Sequence, residues 1–176
     1  VHVNSFDYKH SIIPLSPFST VMQFWNVWNS VPKIEDVFSD VSYLSTNGKV
    51  TEGFSVFRNL AYPEWEHPSN AGGTVFTHRL HCDVQETAQI WLALVLEVIR
   101  GSQLGDTITG IRLVAKSAPR FLDYLWKFEV WSIAEHTKSC LTELQQTFPD
   151  MQFETPERRD PSVRRHTGSR SRNAFR

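Results

Sequence analysis

The chain has 176 residues and a mass of 20.3 kDa, is 40% hydrophobic and 21% charged, and carries a formal net charge of −1. That length suits one domain with a sizeable core, and the near-neutral total excludes a histone-like protein that holds nucleic acid by bulk charge. Cys82 and Cys140 stand apart, without CxxC spacing, and no long apolar run is present, so neither a disulfide framework, a cysteine metal motif nor a membrane span is expected, and a reduced, cytoplasmic monomer is. The start at Val1, with no initiator methionine, fits a processed chain whose N-terminal segment is missing.

In chain order, Ser19 or Thr20 can cap a first helix whose apolar residues Val21, Phe24, Trp25, Trp28 and Val31 recur every three to four positions and stop near Pro32. A loop follows from Ser39 to Lys49, with a turn at Asn47-Gly48. Strands are expected at Phe54 to Phe57 and Thr74 to Leu80. Asp83, with Glu86 three positions on, opens the clearest helix, which is apolar almost all round through Ile90, Trp91, Leu92, Leu94, Val95, Leu96, Val98 and Ile99 and stops at Gly101. A surface helix needs only one such stripe, so a second face must also be covered.

Gly101 to Thr107 reads as a loop, Gly110 to Ala115 and Lys127 to Trp131 as strands flanking a loop at Ser117 to Asp123, and Glu135 to Phe148 as a third helix ending before Pro149. Strands and helices do not alternate strictly. That favours an α+β protein with an antiparallel sheet, helices on one face and the other face open. Residues 1–153 are expected to form the single domain and 154–176 a polar tail. From Met151 to Arg176 seven arginines oppose Glu154, Glu157 and Asp160, an excess of +4, which favours phosphate-bearing partners, although a solvated tail explains any one of these arginines equally well.

The run FSVFRNLAYPEWE, Phe54 to Glu66, resembles the segment of the eukaryotic translation initiation factor 4E family that ends in its cap-stacking tryptophan and adjacent glutamate. Other landmarks follow in family order: FSTVMQFWNVWN before it, then Gly72-Gly73, IWLALVLEVI, a basic strand ending at Trp131, and a TGSRSRNAF tail. The resemblance implies a curved antiparallel sheet with about three helices on its convex face and a ligand slot on the concave one. It also implies a non-enzymatic protein that binds the N7-methylguanosine cap of mRNA, without cofactor or metal. Counting back from Trp25 puts the second stacking ring on Tyr8.

The chemistry of such a slot is independent of the family. N7-methylation gives guanine a delocalised positive charge, which two π faces attract more strongly than the neutral base. Glu66 can accept from N1–H and the N2 amine of guanine, and the Trp65 backbone N–H can donate to O6. By resemblance Lys116 and Lys127 take the phosphate positions and Trp131 touches the methyl group. Arg120 is added for its place in the intervening loop, and Arg165 and His166 for the reach of the tail. Ser169 falls on a family phosphorylation site. Scaffold or repressor proteins of this family lay a Tyr-containing helix on a dorsal patch, here Val21, Trp25, Leu92 and Leu96, with Ala93 where relatives carry glutamate.

Departures from the pattern set these readings against plainer ones. Tyr8 replaces a tryptophan, Lys116 an arginine, and Thr74-Val75 an arginine-tryptophan pair, so a scaffold that has lost strong cap binding is the alternative function. Taken singly, Trp65 or Tyr8 is an ordinary aromatic and either lysine a solvated charge. Trp28, Trp91 and Trp126 are assigned to structure. His78, His81, Cys82 and Asp83 look metal-like, yet strand alternation separates the two histidines and Cys82-Asp83 begin a helix. No phosphate loop or nucleophile elbow is present to suggest catalysis.

Overall fold

A computed structural model describes residues 12–39, 45–46, 49–116 and 124–155. Four strands, β3 (Gly53–Phe57), β4 (Val75–Cys82), β5 (Ile108–Ala115) and β6 (Tyr124–Ser132), form an open, curved antiparallel sheet in the order β3-β5-β6-β4. A separate two-stranded antiparallel sheet pairs β1 (Ser45–Thr46) with β2 (Lys49–Val50), and the Asn47-Gly48 turn expected from the sequence lies outside the described residues. The α+β class and the antiparallel sheet agree with the sequence reading.

Alternation along the strands sends one set of side chains into the core. Phe76, Ile111, Leu113, Trp126, Phe128 and Val130 are buried together with residues of helix α3 (Val84–Ile99), including Trp91, Leu94, Val95 and Val98. α3 begins where Asp83 accepts from the Glu86 amide at 2.7 Å, a cap of about 1 kcal/mol. The first helix, α1 (Val21–Ser30), is capped by Thr20, whose hydroxyl accepts from the Gln23 amide, while the Gln23 side chain accepts from the Ser19 N–H. It buries Phe24, around which Phe18, Trp25 and Trp28 pack as an aromatic cluster with centroids 4.9–5.5 Å away.

The structure also contains two short helices that the sequence pattern does not announce, one of them in an expected loop. α2 (Ile34–Ser39) buries Ile34, Val37 and Phe38, and α4 (Gln103–Asp106), capped by Ser102, occupies the Gly101–Thr107 segment. The last helix, α5 (Thr137–Thr147), starts two residues later than predicted because Ala134–His136 forms a 3-10 turn. β4, β5 and β6 each run longer than their apolar runs indicated, since ladder pairing continues through polar positions such as His81 and Ser132. Beyond the outer edge of β4, Glu154 exchanges two backbone hydrogen bonds with Thr77, so the chain remains tied to the sheet at residue 154.

Candidate functional site

The open face of the sheet carries the alternate residues: Phe57 on β3, Arg112 and Val114 on β5, Lys127, Glu129 and Trp131 on β6, and Thr77 and Arg79 on β4. At one end lies an aromatic platform. Trp131 is buried, with Phe57 edge-on at 5.8 Å, and Trp65 leans on it with centroids 4.7 Å apart and planes inclined at 40°. Gly110 makes room for this stack, because a Cβ there would sit 2.3 Å from the Phe57 ring. A bulge beside Thr109 completes the support: its hydroxyl donates to the Trp131 carbonyl, and its own carbonyl accepts from the Arg58 amide, where the Trp65 loop begins.

Trp65 is 51% exposed, although it touches Trp131. At 4.7 Å two rings are in direct contact, so no base fits between them, and the free side of the platform is the outward face of Trp65. The loop is held from beneath by Asn70, 1% exposed, whose amide donates to the carbonyls of Tyr62 and Glu64 at 2.7 and 2.8 Å. Gly73 backs the same turn, its α-carbon so close to the Ser132 carbonyl that a Cβ would lie 2.1 Å from the oxygen. Glu66 is exposed, and among the described residues nothing pairs with its carboxylate or with the Trp65 backbone N–H. The arrangement offers a flat π surface, an acceptor and a backbone donor side by side.

Farther along the same face lie the cations. Lys127 is ion-paired with Glu129, and Arg112 approaches the other Glu129 oxygen at 3.7 Å. Lys116, exposed at the end of β5, has its pKa lowered first by partial burial and then by the neighbouring Lys127 charge, with Glu129 pulling the other way. It therefore loses its charge at a lower pH than a free lysine. Neutralising Lys127 by Lys127→Gln removes a repelling cation and leaves Glu129 freer to attract, so the Lys116 titration midpoint should move up. An NMR titration of the lysine Cε signals checks this, and a downward shift would contradict it.

Of the residues singled out from the sequence, Trp65, Glu66, Trp131, Lys116 and Lys127 lie on this face or on the loop above it. Tyr8, Arg120, Arg165, His166 and Ser169 lie outside the described residues. Sequence reasoning passed over Arg112, Glu129, Asn70 and Thr109. The first two could have been found from their strand alternation with Lys127, whereas nothing marks Asn70. On the helices, Val21 is 70% and Trp25 38% exposed, one turn apart on α1. Leu92 and Leu96 are half-buried, one turn apart on α3. Trp91 and Trp126 are buried and Trp28 is half-buried. His78 is buried against Phe128 and Phe153, while His81 is exposed.

An open four-stranded antiparallel sheet with helices on one face and an aromatic platform with an adjoining carboxylate on the other defines an α+β protein built around a concave face. A family model for the eukaryotic initiation factor 4E matches residues 2–171, and the chain belongs to that family. The translation initiation factor 4E of Saccharomyces cerevisiae is 26% identical over 128 residues, covering 73% of this chain and 53% of the yeast protein. The initiation factor 4E-1 of Zea mays is 31% identical over 102 residues, 57% of this chain and 40% of the maize protein. The chain thus spans about half the length of the curated relatives it matches. Among solved structures, C. elegans eIF4E-3 in complex with the 4E-binding protein Mextli superposes with a TM-score of 0.62 at 18% identity, covering 85% of this chain and 83% of that one. Ascaris suum eIF4E-3 in complex with m2,2,7G cap gives 0.59 at 18% identity, covering 89% and 85%. These likenesses establish the shared fold.

Proposed function

We propose that this chain binds the N7-methylguanosine cap of mRNA, without catalysing a reaction, and acts in translation initiation or its regulation. The observation that carries the reading is Trp65: a tryptophan half open to solvent, braced from behind by Trp131, with the Glu66 carboxylate, exposed and without a partner among the described residues, at the next position. A methylated guanine stacks on the outward face of Trp65, Tyr8 closes the other side, and Glu66 reads N1–H and the N2 amine. Trp131 acts chiefly as the support of Trp65 and presents its edge to the methyl group. Lys116, Lys127, Arg120, Arg165 and His166 face the phosphates. The cap named in the Ascaris eIF4E-3 complex supports this assignment.

Val21, Trp25, Leu92 and Leu96 form the dorsal patch for a scaffold or repressor carrying a Tyr-containing helix, a reading supported by the Mextli complex of a fold relative. The protein acts as a cytoplasmic monomer, with residues 1–153 as its cap-binding domain and 154–176 as a basic tail. Among the described residues no helix is long and apolar enough to cross a membrane.

A second reading, a scaffold that has lost strong cap binding, draws on one observation: Lys127 spends its charge on Glu129. One paired titration separates the two. Adding N7-methyl-GTP should quench tryptophan fluorescence at concentrations where GTP has little effect. An equal response to both ligands removes the cap-binding reading and leaves the scaffold.

A further inference from the structure

The ion-paired cluster on the open face is a feature of this chain's own residues. β6 presents Lys127, Glu129 and Trp131 at alternate positions on one side, so the aromatic platform and the Lys127 backbone position are four residues, about 13 Å, apart. Glu129 stands midway. Its side chain is only 6% exposed, and it is overlaid by Lys127 and Arg112, whose side chains are 16% and 24% exposed. A nucleotide with its base on Trp65 and its phosphates reaching for Lys127 and Lys116 must pass over this group.

We propose that Glu129 is a specificity-determining residue, a built-in anion that occupies the inner side of the phosphate site and makes this chain bind a methylated guanine with little regard to the length of its phosphate chain. The inference rests on the cap-binding reading and deepens it. Charge counting gives the reason. Arg112, Lys127 and Lys116 supply three positive charges and Glu129 removes one, leaving +2 on these four. Arg79, opposite Lys127 on β4, is offset by Glu154 at 3.5 Å, and Glu52 adds a further negative charge that acts on Lys116. The charge that Glu129 removes is the one closest to Lys127, so each added phosphate meets an ammonium already engaged with a carboxylate. To bind that ammonium the phosphate must share it or displace Glu129, which would leave a nearly buried carboxylate short of its partner. The ion pairs of Glu129 are with Lys127 and Arg112, not with Trp65 or Glu66, so the base-reading end keeps its selectivity.

The test titrates the full chain, wild type and Glu129→Gln, with N7-methyl-GMP, N7-methyl-GTP and GMP, following tryptophan fluorescence. In the wild type the affinity ratio of methylated triphosphate to methylated monophosphate should stay below tenfold. Glu129→Gln should raise that ratio at least fivefold, and Lys127→Gln should cost triphosphate affinity at least threefold more in the Glu129→Gln background than in the wild type. A wild-type ratio above tenfold, or a ratio unchanged by Glu129→Gln, overturns the proposal. If Glu129→Gln does not fold by circular dichroism, the wild-type ratio alone decides. The comparison of N7-methyl-GMP with GMP reports separately on base recognition. Equal binding there removes the cap-binding reading, while the phosphate ratio still reports on Glu129.

Discussion

Trp126→Ala should destabilise the fold by about 3 to 5 kcal/mol, a large part of the roughly 5 to 15 kcal/mol that holds a domain together. Trp126 is 0% exposed and meets Phe38 edge-on, with centroids 5.0 Å apart and planes at 86°. Its Nε1 donates to the Cys82 carbonyl at 3.1 Å. In the ladder it stands between Leu80 of β4 and Ala115 of β5. Truncation therefore opens a cavity beneath three strands and also strips the Cys82 carbonyl of its side-chain donor, one residue before the Asp83 cap of α3. Urea denaturation measures the loss. Trp126→Phe, which keeps much of the volume but not the hydrogen bond, should fall between wild type and alanine. A loss under about 1 kcal/mol for the alanine variant would show that α2 and the sheet pack independently of this ring.

The same contacts show why some elements were legible and others were not. Asp83 followed by an apolar run gives α3 both a start signal and a long period, so the expected beginning and the observed one coincide. Ile34, Val37 and Phe38 carry α2 with a single i, i+3, i+4 repeat in six residues, too short for periodicity to declare. The β1–β2 pairing has no strand signal of its own, since two residues per strand leave no alternation to read. In the site, Trp65 and Glu66 were legible because the resemblance is local and contiguous. The Glu129 cluster was hidden because Arg112 and Glu129, seventeen residues apart, become partners only once the β5–β6 register is fixed. Asn70 reads as an ordinary loop residue, and only its 1% exposure and its two carbonyl contacts reveal it as the peg under the Trp65 loop.

For binding, the largest expected effect is at the platform. Trp65→Ala should cost roughly 1 to 3 kcal/mol of affinity for a methylated guanine nucleotide, the usual worth of one base-to-aromatic stack, or roughly 5- to 150-fold. The fold should survive, because the ring is half exposed and Trp131 keeps its edge contact with Phe57. Glu66→Ala should lose more affinity than Lys127→Ala. Glu66 has no described partner to release, so its whole acceptor capacity is available to the base, whereas Lys127 gives up an ion pair with Glu129 for every phosphate it meets. The two losses should also differ in kind. Phosphate attraction weakens as salt rises, while a directed contact to the base edge is screened much less. Titrations of the three variants at low and moderate salt therefore decide the matter: a Lys127→Ala loss exceeding that of Glu66→Ala at both concentrations would mean that the phosphates, and not the cationic base, hold the ligand on this face.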